Sequence, residues 1–153
     1  MTERLPLNTA PLPLKLKVED YLALDKAGAF AEYAKTELIE GVLFFMNAQH
    51  RPHGYVKMEL YDRLRDGLRG LALRARLLVE VSIAIPPHSV PEPDIVLTTK
   101  PQGSGLIPLA SVLLIVEVAD TTLAYDLGAK AQLYARARVP EYWVADVSGR
   151  LIH

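Results

Sequence analysis

The run SVLLIVEVAD, residues 111–120, constrains this chain more than any other stretch. It is too uniformly apolar for a strand with one wet face, which predicts a strand buried on both sides and helices covering a central sheet. Glu117 stands inside this run. A carboxylate is among the last groups to be buried without a partner or a metal to compensate it. The strand that predicts the fold therefore also predicts a polar centre.

The remaining pattern builds a mixed α/β arrangement around that strand. Val18, Tyr21, Leu22 and Leu24 space a short helix that ends at Gly28, and TELIEGVLFFM reads as a hairpin turning at Glu40-Gly41. Val56, Leu60, Leu64 and Leu68 recur at intervals of four after Pro52, giving one face of an amphipathic helix. RLLVEVSIAI and PDIVLTT are two more strands, and KPQGSGLIP is the loop that leads to the central one. LAYDLGAKAQLYARARV is helical, with Leu127, Ala131, Tyr134 and Arg138 on one face and Gly128 as its weak point. PEYWVADVSGRLIH supplies a strand and the opening of another at Ser148-Gly149. A buried strand followed by a helix and a strand predicts a right-handed parallel crossover. Residues 1–16, with three prolines and no periodicity, read as an N-terminal arm, and 17–153 as one domain. The chain stops as its last strand enters a sheet, so further C-terminal strands are expected in the natural protein.

Composition narrows the function classes. No stretch approaches the ~20 apolar residues of a membrane span, and MTERLPLNTAPLPLKLK lacks the apolar centre of a secretory signal, so the expected location is cytoplasmic. There is no cysteine, which removes disulfides, thiolate metal sites and cysteine nucleophiles. The formal charge of −1 advertises no global nucleic-acid binder. Arg63, Arg65, Arg69, Arg74 and Arg76 form a local basic crowd, but Glu59, Asp62 and Asp66 interleave with them as i,i+3 and i,i+4 partners of a solvated helix face.

Chemistry is carried by three residues. Alternation along a strand puts Glu117 on the face of Leu113 and Ile115, and Asp94 on the face of Val96. If those strands are neighbours, the two carboxylates converge at one end of the sheet, where they repel unless a proton or cation intervenes. With oxygen ligands on offer, Mg²⁺ is the natural cation, with Mn²⁺ as a substitute. Lys130 and Asp126 lie on the border of the following helix's apolar arc, from which the ammonium reaches over the sheet edge to orient or deprotonate a water and offset transition-state charge. Each member has a plainer reading: Glu117 with a structural partner, Asp94 in a turn, Lys130 at the surface or paired with Asp126.

ELIEG, a histidine at a helix start, PDIVL, VEVAD, YDLGAKAQLYA and VPEYWVAD together resemble the Uma (DUF820-type) family of endonucleases, in the PD-(D/E)xK restriction-endonuclease-like superfamily. The resemblance runs from about Leu16 to the end. It implies a central mixed sheet flanked by helices, preceded by an N-terminal helix and hairpin, and Mg²⁺-dependent hydrolysis of DNA phosphodiesters. It also implies that Asp94 and Glu117 bind the metal. The lysine expected two residues after the second acid is absent, position 119 being Ala, and Lys130 on the next helix stands in its place. Glu37 and His53 match the family's recurring acid and histidine and are auxiliary candidates, with an exposed strand residue and a surface helix-start residue as their alternatives. Cutting both strands of a duplex takes two sites, so a homodimer is expected. The alternative function is a catalytically weak or inactive nuclease-fold module that binds nucleic acid or protein.

Overall fold

The structure, a computed structural model, describes residues 10–153; residues 1–9 of the expected arm lie outside the described residues. In chain order the elements are α1 (Val18–Lys26), β1 (Lys35–Ile39), β2 (Val42–Met46), α2 (Arg51–Leu68), β3 (Arg76–Val79), β4 (Ile83–Ala84), β5 (Ile95–Thr98), β6 (Ile107–Pro108) and β7 (Val112–Ala119). A composite helix follows, made of α3 (Leu123–Tyr125), a π-helical turn (Asp126–Lys130) and α4 (Ala131–Arg136), and then β8 (Tyr142–Asp146) and β9 (Leu151–Ile152).

The apolar run forms β7, the middle strand of a five-stranded sheet ordered β3-β5-β7-β8-β9. It pairs antiparallel with β5 and parallel with β8, so the composite helix is the crossover of a parallel strand pair. Both faces of β7 are covered, as its sequence demands. Leu114 and Val116 pack with Ile95 and Leu97 against Leu60, Leu64 and Leu68 of α2, while Ile115 packs with Val96 against Leu133 and Tyr134 of α4. This is the expected mixed α/β core with helices on both faces.

The hairpin forms as its sequence predicts. Ile39 pairs with Val42, leaving the two-residue turn Glu40-Gly41, and both residues take positive φ, 53° and 86°. That is the primed turn whose twist suits a hairpin. The turn is pinned on several sides: Glu40 N–H donates to Ser89 Oγ at 2.9 Å, Gly41 N–H to the His88 carbonyl at 2.7 Å, and Leu16 N–H to the Gly41 carbonyl at 3.1 Å.

Three expectations fail locally. RLLVEVSIAI is two strands, because the β3–β5 ladder runs out where Pro91 and Pro93 can offer no N–H, and Glu80 turns the chain at φ 54°. Its second half becomes β4, which pairs parallel with β6 in a small separate sheet, so the preceding loop contains a short strand at its end. In the crossover helix the π turn inserts an extra residue and rotates the buried face. Leu127 is left 40% exposed, the buried set becomes Asp126, Lys130, Leu133 and Tyr134, and Arg138 falls beyond the helix.

Two glycines test this account of the hairpin. A Cβ at Gly41 would stand 2.6 Å from Lys15 Cβ and 2.8 Å from its Cα, at a φ that L-residues resist, whereas one at Gly54 in α2 would meet nothing within 4 Å. Gly41→Ala should destabilise by about 1–3 kcal/mol, while Gly54→Ala should be neutral or stabilising by up to about 1 kcal/mol. Urea midpoints of the two variants check the contrast.

Candidate active site

The antiparallel register of β5 and β7 sets Ile95 opposite Val116, so the next pair outward is Asp94 opposite Glu117. Both side chains are buried, and the two strands are neighbours as the sequence argument required. Asp94 is held from two sides. His53 Nε2 lies 3.0 Å from Oδ1, and the Val118 N–H donates to Oδ2 at 2.7 Å. Burial pushes its pKa up, but the hydrogen bonds from His53 and Val118 outweigh burial and leave it below the ordinary aspartate value. Asp94 is an anion at neutral pH.

Glu117 lies among other acids. Burial is the largest influence on it; Lys130 opposes, while Asp94, Glu37 and Asp126 add to the rise, and the carboxyl is pushed up to about 8. Lys130 Nζ stands 2.5 Å from Glu117 Oε1 and 2.8 Å from Glu37 Oε1, and Tyr134 Oη donates to the same Glu117 oxygen at 3.2 Å. Burial disfavours the charge on Lys130, but Glu117, Tyr134 and Glu37 more than compensate, so its pKa lies well above the usual lysine value. The ammonium keeps its proton. Glu37 Oε1 is fixed further by the Glu92 N–H at 2.8 Å.

The π turn explains how a lysine on a helix reaches this point. Asp126 and Lys130 stand at the two ends of this five-residue turn, and both are buried on its inner side. The alternative pairing of those two residues is not made: Asp126 accepts from Thr122 Oγ1 at 2.5 Å, and Lys130 turns to the two glutamates. The auxiliary candidates Glu37 and His53 are both inside the cluster, 0% and 3% exposed, rather than on the surface. Tyr134, an apolar-face residue by periodicity, adds its hydroxyl to the cluster; its place four residues after Lys130 is the sequence signal that both can reach Glu117. Glu80 stands apart, paired with Lys57, and Arg63, Arg65 and Arg69 are bonded to Glu59, Asp62 and Asp66 as a solvated helix face.

Four buried carboxyl groups, Glu37, Asp94, Glu117 and Asp126, thus share this region with one buried ammonium, which bonds only Glu37 and Glu117 among them. Buried acids in that excess call for protons or another cation. Among the described residues no group of three or more His, Asp or Glu is arranged as a ligand set. Two hard carboxylates with water completing the shell fit Mg²⁺, which rarely uses an all-protein cage, and do not fit a closed zinc site. Glu37 Oε2 and His53 Nδ1 are buried without a hydrogen-bond partner among the described residues, which marks the cluster as polar beyond its internal pairing.

The raised Glu117 pKa fixes a pH dependence. The folded chain keeps a proton up to about 8 that the unfolded chain releases near 4.5, so the native state binds more protons between these values. Stability from this source is complete below the lower value and is lost as pH rises toward the upper one, with a slope of up to roughly 1 kcal/mol per pH unit. Urea unfolding in metal-free buffer should show that decline, and Glu117→Gln should remove the larger part of it. A wild-type profile flat over this window would contradict the assignment.

The family model Uma2, described as "Putative restriction endonuclease", matches residues 18–153. No curated protein matches the chain. Among solved structures, a crystal structure of "a putative nuclease belonging to DUF820" from Anabaena variabilis ATCC 29413 is similar with a TM-score of 0.58 and 15% sequence identity, covering 86% of this chain and 74% of that one. At that identity the likeness is one of fold, and it agrees with the central mixed sheet described above. No helix among the described residues is long and apolar enough to cross a membrane. With nearly the whole described chain inside the family match, this protein belongs to the Uma2 family of restriction-endonuclease type.

Proposed function

We propose that this protein is a Mg²⁺-dependent endonuclease that hydrolyses DNA phosphodiester bonds, with Mn²⁺ able to replace Mg²⁺. The observation that carries this reading is the excess of buried carboxyl groups over buried ammonium groups where Asp94 and Glu117 meet at the end of two neighbouring strands, with Lys130 bonded to Glu117 and Glu37. Asp94 and Glu117 would hold the metal, which would supply a Lewis acid for the phosphate and acidify a bound water. The family membership and the nuclease-like fold support the same reaction class.

The chain's own residues have distinct tasks in this reaction. In hydrolysis a water oxygen bonds to phosphorus and loses a proton, while a phosphorus–oxygen bond to the leaving sugar breaks and that oxygen gains one. Asp94 is kept anionic and oriented by His53 and the Val118 N–H, so it is ready as a ligand at neutral pH. Glu117 gives up its proton most readily when a cation arrives beside it. Lys130, held protonated by its two glutamates, cannot serve as the base for the water. Its work is electrostatic: an ammonium donor for a phosphate oxygen as charge builds in the transition state. Glu37 and Tyr134 position it and its partner carboxylate. Double-strand cleavage would bring two copies to one duplex, hence a homodimer on such substrates.

Titration calorimetry of Mg²⁺ and Mn²⁺ with a DNA-cleavage gel on the same samples tests this reading. Wild type should bind the metal and cut, and chelation should stop cleavage. Asp94→Asn, which keeps the shape but not the charge, should lose metal binding and at least about 100-fold of the cleavage rate. A well-folded wild type that neither binds the metal nor cuts DNA would overturn the proposal, and metal-independent DNA binding alone would favour a nuclease-fold binding module.

A further inference from the structure

Beside the carboxylate cluster lies a largely apolar hollow of about 380 Å³, lined by Phe44, Met46, Thr121, Thr122, Ala124 and Tyr125. Its position follows from strand alternation. Phe44 is the cross-strand partner of Glu37 and Met46 that of Lys35, so all four side chains leave the hairpin on one face, toward the composite helix. The other wall belongs to the site as well: Thr122 bonds Asp126, and Tyr125 directly precedes it. The Phe44 and Tyr125 rings stand 6.1 Å apart between centroids and 50° from parallel, an open wedge rather than a closed stack. Phe44 is 39% exposed.

Three features specify what would occupy it. The wedge offers aromatic faces to a flat ring, and the volume suits one such ring rather than a helix or a strand. Lys35, half-buried and the cross-strand partner of the lining residue Met46, forms no salt bridge among the described residues, and its charge favours the ionised forms of Glu92 and Asp94, so a cation stands next to the hollow's Met46 wall and within reach of the cluster. Tyr125 Oη is buried with no hydrogen-bond partner among the described residues, leaving a polar atom in the wall unsatisfied. The tyrosine's pKa, pushed up to about 12 by burial first and then by Glu37, reports how close this wall is to the cluster.

We propose that this hollow is a subsite for one unpaired nucleobase, with Lys35 taking an adjacent phosphate, and that the preferred substrate is DNA that is single-stranded or locally unpaired beside the scissile bond. This rests on the nuclease reading for its cleavage step but not for its binding step. A base still stacked in a duplex cannot enter a concave site of this size; one already unpaired pays little to do so. Stacking on an aromatic face accepts any base, so the subsite selects strand state rather than sequence.

Equilibrium binding of short oligonucleotides, read by fluorescence anisotropy with Ca²⁺ in place of Mg²⁺, tests the inference apart from turnover. Single strands should bind more tightly than duplexes of equal length, and 2-aminopurine in the strand should change its emission on stacking. Phe44→Ala should weaken single-strand binding roughly 5- to 150-fold and cancel the emission change, while leaving duplex binding alone. Phe44→Trp, which restores a stacking face, should recover both. Single-strand affinity unchanged in Phe44→Ala, or wild type that binds duplex better, would overturn it. Phe44-dependent binding by a protein that cuts nothing would retain the subsite and remove the nuclease reading; cleavage lost in Asp94→Asn with no Phe44 effect would do the reverse.

Discussion

The structure depends on one ammonium group shared between two glutamate side chains. Lys130 bonds Glu117 in the main sheet and Glu37 in the hairpin at the same time, and all three side chains are cut off from water. A buried ion pair is poor evidence of stability by itself, because desolvation can cost as much as the attraction returns. Its value here is geometric. The lysine joins two sheets that share no ladder, and it fixes where the hairpin stands over the end of β7.

The lysine comes from a helix rather than from the strand that carries Glu117. Position 119, two residues past Glu117, is a buried alanine at the end of β7, paired with Asp146 of β8. The π turn supplies the ammonium from above instead, and Tyr142 secures that turn by donating to the Asp126 carbonyl at 2.7 Å. Wide turns of this kind are uncommon in helices and recur at functional sites, since the distortion must be held by something outside the helix. Here the holding groups are Thr122, Tyr142 and the two glutamates that take the lysine.

Much of the centre was legible in the sequence because it follows from local rules. The apolar run announced β7, side-chain alternation put Asp94 and Glu117 on matching faces, and Glu40-Gly41 announced the hairpin turn. What escaped depended on long-range contacts or on backbone changes without a compositional mark. Glu37 meets Lys130 across 93 residues of chain, a distance at which no spacing pattern speaks. The π turn differs from an ordinary helix by a single residue, so periodicity through Leu127 and Tyr134 looked intact while the buried face had rotated. The break at Glu80 was set by prolines on the partner strand, and a strand read alone cannot show where its partner stops bonding. His53 stayed open between an auxiliary site residue and a surface residue, because its burial is decided by the sheet end beneath it rather than by its own helix.

The hairpin turn carries a mechanical consequence. Its tip is fastened by Ser89, His88 and Leu16, while Glu37 in its first strand is fastened through Lys130 to the central strand. A ribbon clamped at two points transmits load instead of absorbing it. Pressure on the outward side chains of its second strand is therefore delivered to the lysine's footing. The ribbon thus links the outer surface to the carboxylate cluster through fixed points at its tip and in its first strand.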